Sequence, residues 1–398
     1  MRSFADARSD FPSLSRPLAY FDGPGGTQVP RQVIAAISGY YERSNANTHG
    51  AFVTSAETDE VIAAARAAAA TFLGAASPAS ISFGQNMTTL NFALARAIAR
   101  EIREGDEVVV TQLDHEANRG PWKTLAERGA VLREIPLRAD GTLEMSALDS
   151  LIGKRTRLLA IGWASNALGT VNDVARAVAA ARAAGARSVI DAVHYAPHFS
   201  IDAAALDPDF LLCSAYKFYG PHVGILYAKP GALDALETDR LITQDQEAPY
   251  RIETGTLNHA ALAGVTAAID YLASFGEGDS RRARLVSAME RLSAHERALA
   301  LRTWRALDGL PRVRRWGPEF TDAPRAPTVS ITVEGLDARA VTERLAAAGI
   351  AAWDGDFYAR RAVEIFGLAD KGGLVRSGMA MYTTEEEADR LSEAIRSL

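Results

Sequence analysis

The sequence predicts an α/β protein in which helices cover both faces of a mostly parallel sheet. From about residue 61, alanine-rich helical stretches alternate with short apolar runs. Each run is rich in Val, Ile or Leu, and a polar or glycine-containing turn follows it. This alternation is typical of parallel strands that are buried on both faces. Ligands of such sheets bind beyond the carboxyl ends of the strands, so the residues just after the runs are the candidates for chemistry.

Seven apolar runs are the predicted strands of this sheet, and helical patterns such as 173–184 fill the gaps. The runs cover residues 80–83, 107–111, 130–135, 158–163, 188–191, 210–214 and 224–228.

The pattern changes after about residue 260. Two long helices are predicted over 260–275 and over the arginine-rich stretch 280–307. A smaller α/β unit follows, with strands at 328–333 and 374–379 and helices at 338–348 and 385–398. A chain of 398 residues usually has more than one core. We therefore expect an N-terminal arm over 1–20, a large domain over 21–275 and a small C-terminal domain over 276–398.

Composition excludes several classes of protein. The net charge is -6 and the basic residues are scattered, so we expect no nucleic-acid partner. No apolar run approaches the roughly 18 to 20 residues of a membrane helix, and the polar, acidic start lacks a signal peptide, so we expect a cytoplasmic protein without membrane contact. A single cysteine, Cys213, allows no internal disulfide and no cysteine-built metal site, and we expect no metal.

The segment 210–227, FLLCSAYKFYGPHVGILY, is the most informative one. A buried strand runs into Lys217, and Gly220-Pro221 and a second apolar strand follow. A lysine held at this place is partly desolvated, which lowers its pKa and makes imine chemistry feasible near neutral pH. Taken alone, an ordinary surface lysine explains the pattern equally well.

An aspartate ends the strand 188–191, about 26 residues before the lysine. Asp191 suits the partner that keeps the pyridine nitrogen of pyridoxal 5'-phosphate (PLP) protonated, so that the ring acts as an electron sink. The alternative for Asp191 is a helix N-cap.

The motif around the lysine carries a family resemblance. The pattern Ser-x-His-Lys-x-x-Gly-Pro appears here as Ser214-Ala-Tyr216-Lys217-Phe-Tyr-Gly220-Pro221. The chain resembles the class V aminotransferases, and within them the cysteine desulfurases of iron–sulfur assembly, from FDGPGGTQVP to VRSGMAMYTTEEEADRL. This resemblance implies the PLP-dependent transferase fold (fold type I), with a large, mostly parallel seven-stranded sheet between helices and a smaller α/β C-terminal domain. It makes Lys217 the catalytic Schiff-base lysine, and Ser214 and Tyr216 cofactor-binding residues.

Three further segments match family motifs. DAVH stands in place of Asp-Gly-Ala-Gln, so Asp191 resembles the catalytic partner of the pyridine nitrogen and His194 replaces the glutamine that contacts the phenolic oxygen. DHEANRGPW places His115 where a histidine stacks on the pyridine ring and is a candidate for moving protons. Without the resemblance, a lone histidine at a strand end is more often structural. SNALGT places Asn166 at the phenolic oxygen and beside the substrate.

Two segments concern the phosphate. GQNMT opens a helix where relatives have Arg-Gly-Thr-Thr-Glu, so Asn86 and Met87 stand in place of two threonines. A helix N-terminus is suited to a phosphate because its free N–H groups and its dipole favour an anion. ETGT matches Glu-x-Gly-Thr, whose threonine, here Thr256, reaches the phosphate of a neighbouring subunit. The resemblance thus implies a homodimer with shared active sites.

The substrate residues follow from the same comparison. Arg376 matches an arginine that binds the α-carboxylate of an amino acid, a task for which the planar guanidinium is suited. His49, in NANTHG, resembles a residue of the substrate entrance, and a loop residue with a local hydrogen bond is an equal alternative.

The resemblance breaks at the sulfur-carrying loop. Cysteine desulfurases have a mobile cysteine within Arg-Thr-Gly-His-His-Cys-Ala, and this chain has WDGDFYA. Tyr358 stands at the position of the cysteine and Trp353 at that of the arginine. Cys213 lies in a predicted buried strand, where it packs as a small hydrophobe. A protein persulfide is therefore not expected.

The expected activity is PLP-dependent chemistry on a small L-amino acid, namely carbon–sulfur bond cleavage or β-elimination. Tyr358 or His115 is the candidate general acid. An aminotransferase and an amino-acid epimerase are the alternatives within the family. A non-catalytic PLP-binding scaffold is the alternative of another class, and an α/β binding protein without PLP is a third.

Overall fold

The computed structural model describes residues 2–398. In this range the chain forms thirteen strands: β1 Ala19–Tyr20, β2 Ile81–Gly84, β3 Glu107–Thr111, β4 Val131–Ile135, β5 Thr156–Gly162, β6 Arg187–Asp191, β7 Phe210–Ser214, β8 Gly224–Ala228, β9 Val313–Trp316, β10 Thr328–Val333, β11 Ile350–Ala351, β12 Trp353–Gly355 and β13 Leu374–Gly378.

The same residues form thirteen α-helices: α1 Phe4–Ala7, α2 Arg31–Arg43, α3 Val53–Leu73, α4 Met87–Ala99, α5 Gly120–Lys123, α6 Leu148–Leu151, α7 Val174–Ala184, α8 Ala203–Leu206, α9 His259–Ala273, α10 Arg281–Ala306, α11 Ala338–Ala347, α12 Arg360–Ile365 and α13 Glu385–Arg396. None of them combines the length and the apolar character that crossing a membrane requires.

All seven predicted strands belong to one sheet, in the order β2-β8-β7-β6-β5-β3-β4. Only β8 runs antiparallel to its neighbours, and the pairs from β7 through β4 are parallel. The predicted, mostly parallel seven-stranded sheet is confirmed, and the observed strand ends differ from the predicted ones by at most two residues.

Strand β3 shows why these runs are continuously apolar. Val109 packs into one hydrophobic cluster, whereas Val108 and Val110 pack into another on the opposite face. Helices cover both faces of the sheet, so successive side chains of a strand are buried alike although they point in opposite directions.

A second, antiparallel sheet has the order β12-β13-β10-β9 and a core of its own. Strands β1 and β11 pair in parallel, which connects the N-terminal segment to this part of the chain. The strands β1, β9, β11 and β12 were not predicted, since they are short or partly exposed. The domain boundaries stay a prediction.

Candidate active site

A cavity of about 590 Å³ lies at the carboxyl edge of the large sheet, where parallel strands place their following residues together. Nine of the thirteen site residues that the sequence predicted line this cavity: Asn86, Met87, His115, Asn166, Asp191, His194, Ser214, Tyr216 and Lys217. They lie at the last residue of β2, β3, β5, β6 or β7 or after it, so the topology of the sheet explains their convergence.

Lys217 is a buried amine at the centre of the site. Its Nζ donates hydrogen bonds to the carbonyl oxygens of Pro24 and Gly25, the latter at 3.0 Å. Burial, together with the positive charge of Arg376, lowers the pKa of Lys217 to about 7. About half of the molecules therefore have a neutral, nucleophilic amine near pH 7.

Asp191 is a buried carboxyl at the end of β6. Its Oδ1 accepts a hydrogen bond of 2.9 Å from the backbone N–H of Val193. Burial, and secondarily the negative charge of Asp114, raises the pKa of Asp191 to about 7. A cationic partner stabilises the ionised form of such a carboxyl, because burial leaves that form poorly solvated.

His194 has one ring nitrogen without a partner. Its Nε2 lies 2.9 Å from Thr328 Oγ1, while the buried Nδ1 makes no hydrogen bond with any residue that the structure describes. Burial holds the pKa of His194 well below its usual range, so the ring is neutral. A buried polar atom without a partner on a cavity-lining residue indicates a bound group.

His115 is held in one tautomer. Its Nδ1 accepts a hydrogen bond of 2.9 Å from the N–H of Ala117, so the proton of the neutral ring is on Nε2. Burial, and then the charges of Lys217 and Arg376, lowers the pKa of His115 to about 4. The imidazole is thus neutral at physiological pH.

The N-terminus of α4 borders the cavity. The N–H of Met87 donates to Ser214 Oγ at 3.0 Å, and the side chain of Asn86 caps the helix by accepting from Thr89 N–H at 2.9 Å. A Cβ at Gly224 would lie 2.3 Å from the carbonyl carbon of Asn86, so only glycine lets β8 begin directly against this turn.

Arg376 lies behind Asn166, outside the residues that line the cavity. Its Nη1 donates to the carbonyl oxygen of Asn166 at 3.3 Å, and its Nη2 lies 2.9 Å from Asp22 Oδ1. The guanidinium stacks 4.2 Å from the ring centre of Phe357, and its buried Nε has no partner within residues 2–398. The Nε–H of Arg376 therefore has no hydrogen-bond acceptor among these residues.

A strained turn holds Phe357 and Tyr358 at the site. Their φ angles are 53° and 60°, which non-glycine residues rarely adopt. The carbonyl of Phe357 accepts from Asn166 Nδ2 at 2.8 Å, and the carbonyl of Tyr358 accepts from Glu116 N–H at 2.7 Å. The turn thus brings the ring of Tyr358 to 5.2 Å from that of His115, although the tyrosine is 69% exposed.

Two predicted residues lie apart from the cavity. Thr256 lines a neighbouring cavity of about 660 Å³, which shares Asn86, Thr89 and His222 with the first one. The His49 side chain is 82% exposed, and its Nδ1 lies 3.4 Å from Asp59 Oδ1. Within one chain, neither residue reaches Lys217.

Four residues of the site were not assigned from the sequence: Asp22, Thr88, His222 and Phe357. Asp22 lies in the quoted segment FDGPGGTQVP and Thr88 in GQNMT, so both segments contained a signal. No signal in the sequence indicated the role of Phe357, because an apolar residue in a loop does not show that its ring packs on an arginine.

The comparisons with known proteins agree with this geometry. The family model described as aminotransferase class-V matches residues 19–391. The chain belongs to this family. A cysteine desulfurase of Cronobacter sakazakii is 35% identical to it, over 98% of this chain and 96% of the relative. This class V chain is therefore a PLP-dependent enzyme of the transferase and lyase kind.

Solved structures support the fold assignment. The cysteine desulfurase CsdA from Escherichia coli has a TM-score of 0.88 and 28% identity, over 100% of this chain and 98% of that one. A C-DES variant with glycine covalently linked to its PLP cofactor has a TM-score of 0.82, over 98% of this chain and 99% of that one. At 23% identity, the second similarity shows the fold alone.

The cavity residues of this class V enzyme fit PLP. Lys217 supplies a neutral amine for the aldehyde, and Asp191 a buried carboxyl that makes no salt bridge within residues 2–398. The unpaired Nδ1 of His194 and the N-terminus of α4 supply donors for oxygen atoms. A cavity of this size is in the usual range for cofactor sites.

Proposed function

We propose that this enzyme acts on a small L-amino acid and cleaves the bond between Cβ and a sulfur or similar leaving group, without a protein persulfide. The observation that carries the proposal is the placement of Tyr358 beside His115, in the loop where the related desulfurases carry cysteine.

The single thiol of the chain supports this reading. Cys213 lies on β7, is 0% exposed and packs in a hydrophobic cluster. Burial, and then the charge of Asp191, raises the pKa of its thiol. Because the thiolate is the nucleophile, a thiol with a raised pKa and no access to solvent does not accept sulfur.

We assign the shared steps to three side chains. Arg376 binds the α-carboxylate through its unpaired Nε and an adjacent N–H, and Phe357 and Asp22 hold the guanidinium in place. The neutral Nζ of Lys217 removes the Cα proton. The ionised carboxylate of Asp191 would stabilise a positive charge on the pyridine nitrogen of the cofactor. PLP, when bound, supplies an electron sink for the negative charge at Cα.

The leaving group needs a proton, and the site offers two donors. The imidazolium of His115 is scarce at neutral pH, since its pKa is about 4. The hydroxyl of Tyr358 is therefore the better candidate. The departing group leaves with the electron pair of its bond to Cβ and takes the proton of Tyr358. Lys217 keeps the Cα proton and then transfers it to Tyr358, which restores the hydroxyl. Hydrolysis by water then releases ammonia and a keto acid.

A homodimer with shared sites belongs to the same proposal. The second cavity, with Thr256 on its wall, adjoins the first one and is open for a residue of another copy. Other parts of the surface expose apolar side chains, with Ile242 95% exposed and Leu241, Phe52 and Val53 more than half exposed. Such surface is typical of an interface.

Mixed dimers test the shared site. The Lys217→Ala and Thr256→Ala variants are each expected to be inactive as homodimers. A mixed dimer of the two variants should regain up to half of the PLP-dependent activity only if Thr256 acts across subunits. A protein that stays monomeric at micromolar concentration, or shows no recovery in mixed dimers, would refute sharing.

The reaction is tested with a panel of amino acids that includes cysteine, cystathionine and cysteine sulfinate. The visible spectrum of the holoenzyme is recorded together with pyruvate, ammonia and sulfide. Release of a keto acid with ammonia supports elimination, and Tyr358→Phe should slow it strongly while Lys217→Ala abolishes it. An unchanged rate in Tyr358→Phe rejects the tyrosine as acid. A keto acid without ammonia indicates transamination, loss of optical activity indicates an epimerase, and a spectrum that no amino acid changes favours a scaffold.

A further inference from the structure

His222 lies at the end of the cavity that the N-terminus of α4 borders. It follows the Gly220-Pro221 turn, and it lines both the active-site cavity and the neighbouring one. Its ring stacks on that of Tyr216, with a centroid distance of 4.7 Å and an interplanar angle of 11°. Tyr216 stands in place of the histidine of the family pattern Ser-x-His-Lys. The imidazole at this end of the cavity is instead that of His222.

The stack fixes the direction of the imidazole. The carbonyl of Tyr216 accepts hydrogen bonds from the N–H and the Oγ1 of Thr27, at 3.1 and 3.0 Å, which anchors the tyrosine. Neither ring nitrogen of His222 makes a hydrogen bond or ion pair within residues 2–398. An aromatic platform that orients a ring with two free nitrogens is suited to a ligand.

The first turn of α4 offers matching donors on the same side. The N–H of Met87 donates to Ser214 Oγ and that of Thr89 to Asn86 Oδ1. The N–H and the hydroxyl of Thr88, which lines the cavity, have no hydrogen-bond partner among the described residues. An unpaired N–H in a first helical turn favours an anion.

We propose that His222 and Thr88 bind the phosphate of PLP, with a ring N–H of His222 and the N–H and hydroxyl of Thr88 as its donors. The other cavity-lining residues include one lysine, Lys217, and no arginine. A phosphate accepts hydrogen bonds from helix N–H groups, hydroxyls and ring N–H groups, and His222 adds a ring donor to the donors of α4. The side chain of Asn86 caps its helix, so it contributes less to the phosphate.

The test compares PLP with pyridoxal, which lacks the phosphate, as ligands of the apoenzyme. His222→Phe keeps the stack on Tyr216 and removes the ring nitrogens. We expect it to weaken PLP affinity about 10-fold, the low end for a hydrogen bond to a charged group because His222 lies at an exposed rim. Pyridoxal affinity should stay within about 2-fold, and this also reports that the site is folded.

Thr88→Val and Thr88→Ser form the matched pair, and only the valine variant should weaken PLP selectively. The 31P resonance of bound PLP should shift in His222→Phe. Equal losses for PLP and pyridoxal would assign His222 a structural role and overturn the proposal, as would unchanged PLP affinity with an unchanged 31P resonance. Both outcomes are independent of which amino acid the enzyme uses.

Discussion

The lowered pKa of Lys217 predicts an unusual pH dependence for loading the apoenzyme with PLP. Only the neutral amine attacks an aldehyde. With a pKa of about 7 instead of 10.5, about half of the amines are neutral at pH 7. For an ordinary lysine the neutral fraction is roughly one in 3,000. The structure therefore predicts a neutral fraction of the amine about 1,500-fold above that of a surface lysine.

The assay is stopped-flow absorbance after PLP is mixed with the apoenzyme, from about pH 5 to about pH 10. The rate constant should rise with pH, reach half of its maximum near pH 7 and stay level above about pH 8. An Nα-acetyl-lysine control, measured in the same buffers, corrects for the ionisation of PLP itself.

The cause of the shift is tested with Asp22→Asn, which keeps the shape of the side chain. The charge of Asp22 raises the pKa of Lys217 and also offsets Arg376, whose charge lowers it. Removing the carboxylate should therefore move the midpoint to lower pH, and Asp191→Asn should act in the same direction. A midpoint near pH 10, or a shift to higher pH in either variant, would refute the account of a desolvated lysine.

Three further predictions concern other parts of the site. Phe357→Leu removes the ring that stacks on Arg376, a contact that contributes about 0.5–2 kcal/mol. Glycine binding to the holoenzyme should therefore weaken about 2- to 30-fold, while the binding of methylamine, which has no carboxylate, stays the same. Equal weakening of both would contradict this role of Phe357. Cys213 should react with a thiol reagent only after unfolding in urea, and labelling of the native protein would show that the thiol is accessible. Glu296 is fully buried, with Oε2 2.7 Å from His198 Nδ1, so Glu296→Ala should lower the free energy of unfolding by about 3 kcal/mol and Glu296→Gln by less; equal loss in both variants would contradict the importance of the hydrogen bond.

The seven strands of the large sheet could be predicted because each is a local pattern. Strand β3 was predicted with its observed ends, since all five of its residues are buried and its three central valines form a continuous apolar run. The single antiparallel strand β8 could not be found in this way. Its direction depends on the Gly220-Pro221 turn and on pairing with β2, which is distant in the chain.

Strand β12, unlike the strands of the large sheet, could not be predicted from a local pattern. Its residues are at least partly exposed, and Trp353 is paired with Arg376 of β13. A short strand of this kind has no hydrophobic period, so its position depends on the neighbouring strand. The same holds for the turn with Phe357 and Tyr358, whose positive φ angles are sustained by contacts with Asn166 and Glu116.

The sequence by itself predicted the order of strands and helices, the family, and Lys217 and Asp191 as site residues, because these depend on residues that are close together along the chain. Only the tertiary structure decided which charges surround Lys217, since Asp22 and Arg376 are 354 residues apart and meet through the pairing of separate segments. It also decided that His222 and the N-terminus of α4 line the same cavity and that Cys213 is buried in the core. A pKa depends on burial and on neighbours in space, and neither can be read from the order of residues.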